Sequence, residues 1–368
     1  MTPHTQHATD APRTAQAFRP GLERIAAYKA GKPAPVGPDG RSIKLSSNEN
    51  PYPPLPSVER RLAEILPASI ARYPSIAAAE VTAALAERFG VAPDNLVLGA
   101  GSVEVAAQLI HALTAPGDEV MYAWRSFEAY PILTRVAGAV PVEVPLDAHA
   151  RHDLPAMAAA ITDRTRLIFV CNPNNPTGTV VSEAELEAFM AAVPEHVLVV
   201  VDEAYVHFDR DPESPSGIDF FRRYPNAAVL HTFSKAYGLA GLRIGYAIAS
   251  REVAEALRKV AIPFAVSRLA QEAALASLEA EAELEARIDE MIRERARLAE
   301  GLSAAGIGFA PSQANFVWLT AGEASEELAA AFEARGISVR CFAGEGVRVS
   351  IGAPDENDAV LAVIAELA

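Results

Sequence analysis

Between about residues 95 and 250, short runs of β-branched and aliphatic residues alternate with longer helix-compatible stretches. The apolar runs are 95–98, 119–122, 140–144, 166–170, 197–201, 228–231 and 244–248. Helical patterns separate most of them, as at 103–113 and 183–193. Strands alternating with helices predict crossover units and a mainly parallel sheet with helices on both faces, a three-layer α/β sandwich. The unbroken Val197-Leu198-Val199-Val200-Val201 run fits a central strand buried on both faces. Upstream, 75–89 reads as a helix with Gly90 as its stop.

The texture changes near Arg251. Residues 267–301 are rich in Ala, Glu, Leu and Arg and predict one long helix. A strand (315–319), a helix (324–334), two strands (337–340 and 346–350) and a last helix (356–367) follow. The expected organisation is a polar mobile tail over 1–18, an extended Pro- and Gly-rich arm over 19–56 and a large domain over 57–260. A small α+β domain over 261–368 completes it, with the arm against it. No repeat at a fixed period is present.

Half of the 368 residues are apolar and 21% are charged, the balance of a globular chain with a large core. The formal net charge of −15 argues against nucleic acid or an anionic membrane surface as the main partner. No apolar run reaches the ~20 residues of a membrane span. The opening MTPHTQHATDAPRTAQAF lacks the apolar segment of a signal peptide. Two cysteines, Cys171 and Cys341, fit a reducing compartment, with a single disulfide left open. The cytoplasm is the expected location.

In an open α/β sheet, ligands collect at the carboxyl ends of the strands. Four motifs fall there. Asp202, in DEAY, follows the 197–201 run; it is either a turn cap or a buried anion that holds a protonated ring nitrogen. Tyr205 stands three residues on, within reach of the same ligand. NPNNPTG, residues 172–178, makes a tight loop after 166–170, and Asn175 offers a side-chain donor to a ring oxygen. Ser234-Lys235 follows the run ending at His231. A lysine kept among other charges and partly desolvated has a lowered pKa, so its amine can form a Schiff base. Arg243 offers a planar fork to a phosphate. Gly99-Ala100-Gly101-Ser102-Val103 joins a strand to a helix, and glycine there lets free N–H groups approach a phosphate. Together these supply a phosphate cradle (Gly101, Ser102, Ser234, Arg243), a ring-nitrogen counterion, hydroxyl and amide donors, and an amine. That set matches the needs of pyridoxal phosphate.

The order GAGS, NPNNPTG, DEAY and SKAYGLAGLRIG resembles the fold-type I pyridoxal-phosphate aminotransferases, in the histidinol-phosphate aminotransferase branch, from about Leu22 to Ala368. Within that branch, KLSSNENPYPPLPSV, AWRSFEAYP, RHDLPAM and SQANFVW are most similar to aromatic amino-acid aminotransferases. The resemblance implies transamination between phenylalanine or tyrosine and a 2-oxo acid, with 2-oxoglutarate as acceptor, and a homodimer with shared active sites. It implies that Lys235 bonds to the cofactor and moves the 1,3-proton, while Asp202 keeps the ring nitrogen protonated. Val103 belongs to the cofactor-binding turn, and Phe127 lies on the ring face where many relatives have Tyr or Trp. Tyr52 is expected at the cofactor phosphate of the neighbouring subunit. Arg348 corresponds to the clamp on the substrate α-carboxylate. Arg340 and Tyr28 correspond to positions at the far end of the pocket that keep histidinol phosphate open as the substrate. A decarboxylase of amino-acid phosphates shares the fold and is a further alternative.

Overall fold

The computed structural model describes Arg19 and residues 21–367; the tail over 1–18 lies outside the described residues. Seven strands form the main sheet: β1 (Leu96–Gly99), β2 (Glu119–Trp124), β3 (Val140–Pro145), β4 (Thr165–Cys171), β5 (Leu198–Asp202), β6 (Ala227–Thr232) and β7 (Gly245–Ile248). Their spatial order is β1-β7-β6-β5-β4-β2-β3, and β7 alone runs opposite in direction to the other six. All seven coincide with apolar runs to within a residue or two.

Successive side chains of a strand point to opposite faces, and β4 shows the consequence. Leu167 and Phe169 pack with Val105, Leu109 and Ile110 of the helix Ser102–Leu113 on one face. Ile168 and Val170 pack with Leu186, Phe189 and Met190 of the helix Glu183–Ala192 on the other. The layers are those expected of a doubly covered parallel sheet.

A four-stranded antiparallel sheet stands beside it: β8 (Phe309–Ala310), β9 (Phe316–Leu319), β10 (Arg340–Phe342) and β11 (Gly346–Ser350), in the order β10-β11-β9-β8. The single strand expected over 337–340 is in fact divided. Ile337–Ser338 pairs in parallel with Ile43–Lys44 of the arm, and the chain enters the four-stranded sheet only at Arg340. Ile43 and Leu45 are buried in the same cluster as Phe332, Val347 and Val349, so part of the extended arm is core.

The helix expected over 267–301 is two helices, Arg268–Glu279 and Glu281–Ala304, with Ala280 outside helical geometry at φ −103° and ψ 33°. Neither glycine nor proline marks the break. Its reason is tertiary. The first helix packs against Pro56–Ser69, an element the apolar pattern does not announce. The second carries Leu284, Ile288 and Met291 into the cluster under the main sheet and Leu298 and Leu302 into the cluster of the small sheet. Both helices enter the first of these clusters, through Ala270, Ala273 and Ala274 before the break and Leu284 and Ile288 after it, so the chain turns at Ala280 while still packing under the same sheet.

Candidate active site

The four motifs do stand at the carboxyl ends of parallel strands. Gly101 and the helix starting at Ser102 follow β1; Asn175 follows β4; Asp202 closes β5; Ser234 and Lys235 follow β6. Ser102, Asn175, Asp202, Ser234 and Lys235 line a cavity of about 250 Å³, together with Val103, Phe127, Tyr205, Arg243, Arg348, Arg340 and Tyr28; Gly101 stands one residue behind this lining.

Lys235 Nζ donates to the carbonyls of Ser47 and Asn48 in the arm, at 3.2 and 3.3 Å, and lies 5.7 Å from the Tyr205 ring centroid. Burial, aided by the positive charges of Arg348 and Arg243, lowers its amine pKa to about 7. Its amine is therefore substantially neutral at neutral pH, as a nucleophile must be.

Asp202 is 4% exposed. Its Oδ2 accepts from the Tyr130 hydroxyl at 2.6 Å and its Oδ1 from the Ala204 N–H at 3.1 Å. Burial raises its pKa to about 6 against the pull of those two donors. A carboxylate in that state gains most from a cation beside it. Tyr205 accepts from Asn48 Nδ2 at 3.0 Å and stands edge-on to Phe316, and burial pushes its phenol pKa upward.

At the other end of the cavity, Gly101 has φ +81°, a left-handed value, and a Cβ there would strike the Arg243 guanidinium. Arg243 is itself left-handed, at φ 59°, which for a residue with a side chain costs about 1–2 kcal/mol. That backbone brings Nη1 to 3.2 Å from Ser234 Oγ. The first N–H groups of a helix have no intrahelical acceptor, so those of Ser102 and Val103 are free to meet an anion.

Arg348 is 7% exposed. It donates to Asn175 Oδ1 and, at 2.9 Å, to the Ser46 carbonyl, while its Nε has no partner among the described residues. Arg340 donates to Glu128 Oε2 at 2.6 Å. The Asn175–Pro176 peptide, whose isomer the sequence leaves open, is cis. Tyr52 does not line its own chain's cavity. Its ring lies 6.0 Å from the Arg287 guanidinium, and burial with the nearby Glu290 carboxylate raises its pKa to about 12.

Sequence reasoning missed Tyr130, Asn48 and Glu128. Asn48 sits within the KLSSNENPYP run. Tyr130 carries no local signal; only the fold brings its hydroxyl to a residue 72 positions away.

Fold and cavity place the molecule among α/β enzymes that do chemistry at the carboxyl edge of a parallel sheet. Its family is narrower: the chain belongs to the aminotransferases of class I and II, whose family model matches residues 41–364. It is 58% identical over 354 residues to an aromatic amino acid aminotransferase of Streptomyces coelicolor, covering 96% of this chain and 98% of that protein. It is 57% identical over 346 residues to a namesake from Thermobifida fusca, covering 94% and 96%. Among solved structures it resembles histidinol-phosphate aminotransferase from Sinorhizobium meliloti in complex with pyridoxal-5'-phosphate, with TM-score 0.83, 28% identity and coverage of 90% and 96%. It also resembles Thermus thermophilus aspartate aminotransferase with maleate, with TM-score 0.77, 27% identity and coverage of 89% and 92%.

The residues present fit pyridoxal phosphate. A part-buried amine of lowered pKa, a buried carboxylate short of a cation, and the free N–H groups of Ser102 and Val103 beside Ser234 and Arg243 stand round one cavity. Among the described residues, no helix is long and apolar enough to cross a membrane.

Proposed function

We propose that the protein transfers the amino group of an aromatic amino acid, phenylalanine or tyrosine, to a 2-oxo acid, with 2-oxoglutarate as acceptor. One observation carries the chemistry: Lys235, part-buried and with its pKa brought to about 7, shares a cavity with Asp202 and Arg348. Relatives more than half identical over nearly the whole chain bear the aromatic name, which supports the substrate. So do Phe127, Phe342 and Tyr28 in the cavity wall.

Bound pyridoxal phosphate supplies an aldehyde and a ring that accepts electrons. The chain's residues do the rest. The Ser102 and Val103 N–H groups, Gly101, Ser234 and Arg243 hold the phosphate. Asp202, kept in place by Tyr130, holds the proton on the ring nitrogen. Asn175 and Tyr205 would offer polar contacts to the ring's oxygen, and Phe127 an apolar contact to the ring. Arg348 binds the substrate α-carboxylate with the planar fork suited to it. Lys235 Nζ, with its pKa brought to about 7 and so increasingly neutral above that pH, takes the proton from the substrate α-carbon.

Tyr52 serves the neighbouring subunit in this reading, which makes the enzyme a homodimer with shared sites. Ile70, Tyr73, Ile76 and Ile262 are all more than 60% exposed, and Tyr73 stacks on Phe264 at 4.6 Å; that apolar surface is suited to a second copy. Both cysteines are free, which supports a cytoplasmic location.

The test of substrate is kcat/KM of the holoenzyme for phenylalanine against histidinol phosphate. A clear preference for phenylalanine is expected. A preference for histidinol phosphate would transfer the protein to the alternative activity.

A further inference from the structure

Arg340 and Arg348 stand directly opposite each other on β10 and β11. Residues so paired project to the same face of a sheet, and two like charges there repel. Yet the two guanidinium groups have different company. The polar contacts of Arg348 are neutral oxygens, those of Asn175 and of the Ser46 backbone. Arg340 meets a carboxylate, with Nη2 2.6 Å from Glu128 Oε2 and the two side chains 14% and 29% exposed. Glu128 precedes the helix Ala129–Ala137 and directly follows Phe127 in the cavity wall. The Arg340 guanidinium also lies 5.5 Å from the Phe342 ring centroid.

We infer that Glu128 is the residue that sets side-chain specificity: by occupying Arg340 it makes the far end of the cavity neutral, so that an uncharged aromatic ring is accepted and a phosphate dianion is turned away. The inference rests on the aromatic amino-acid reading above. An aromatic side chain needs only apolar contact and the edges or faces of neighbouring rings. A phosphate at Arg340 has either to displace Glu128 or to sit beside it, and like charges at contact distance in a partly buried site repel more strongly than in water. Arg348, left without a carboxylate, stays available for the α-carboxylate that every amino-acid substrate shares. One carboxylate thus separates two otherwise equivalent cations into a general clamp and a silent one.

The experiment measures kcat/KM for phenylalanine and for histidinol phosphate with the holoenzyme of the wild type, Glu128→Gln and Glu128→Ser. Both variants remove the charge; the second also removes length. Each should raise the histidinol phosphate to phenylalanine ratio at least about tenfold, the size of one like-charge contact relieved in a partly exposed site, mainly through a lower KM for histidinol phosphate. Adding Arg340→Gln to Glu128→Gln should abolish that gain. A ratio that stays within about twofold of the wild type in either single variant overturns the inference while leaving the aromatic reading intact. A wild type that already prefers histidinol phosphate overturns the aromatic reading, and with it the inference.

Discussion

On the main sheet, Asp202 and Lys235 stand at or just past the ends of parallel strands, Asp202 buried and Lys235 part-buried at the cavity. On the small sheet, Arg340 and Arg348 project from antiparallel strands that form the opposite wall. Burial brings the first pair toward neutrality, Lys235 to about 7 and Asp202 to about 6. The arginines keep their charge, because a guanidinium does not deprotonate in a protein even where, as at Arg348, burial lowers its pKa. The proton-transferring amine and the ring-nitrogen counterion stand at the strand ends of the larger sheet. Groups that need only be permanent cations sit on the smaller one. Chemistry and recognition are thereby placed on separate walls, and each can be disturbed alone.

The largest disturbance is to the chemistry wall. Lys235→Ala should lower turnover by about 10⁴-fold or more and remove the cofactor's covalent absorbance band; retained transamination would take Lys235 out of its role. Arg348→Ala should act on recognition instead, raising KM about 10–100-fold for every amino acid while kcat changes less, as expected for a lost charge-assisted contact. An unchanged KM would put the clamp elsewhere. Next comes pH. Lys235 is protonated and unreactive below its pKa and neutral above it. Uptake of pyridoxal phosphate by the apoprotein should therefore slow about tenfold for each pH unit below about 7 and level off above it. A midpoint near that of an exposed lysine would erase the contrast between the walls. Tyr130→Phe should have the smallest effect: loss of the hydroxyl on Asp202 destabilises the fold by about 1–3 kcal/mol, read from urea unfolding. An unchanged midpoint would mean the carboxylate finds another donor.

Much of this was legible beforehand, for a physical reason. The seven strands are short apolar runs because a parallel sheet covered on both faces demands them. The reactive residues follow those runs because strand ends are where such sheets bind ligands. The helix break at Ala280 was not legible, because it has no glycine or proline to announce it and the helices on either side pack into one hydrophobic cluster. The split of 337–340 was hidden likewise, since half of it pairs with Ile43–Lys44, almost 300 residues away in sequence.

What the sequence determined by itself is the periodicity, hence the doubly covered sheet, and the identity and strand-end position of the amine, the acid and the phosphate turn. Local order suffices for those, since each motif sits within a few residues of the strand that presents it. Only the tertiary structure decided the electrical state of those groups. The burial that shifts Lys235 and Asp202, the Tyr130 hydroxyl on Asp202, the arm carbonyls over Lys235 and the Glu128 carboxylate on Arg340 all arise from contacts between distant segments. Charge and pKa depend on surroundings in three dimensions, and a linear pattern does not contain them.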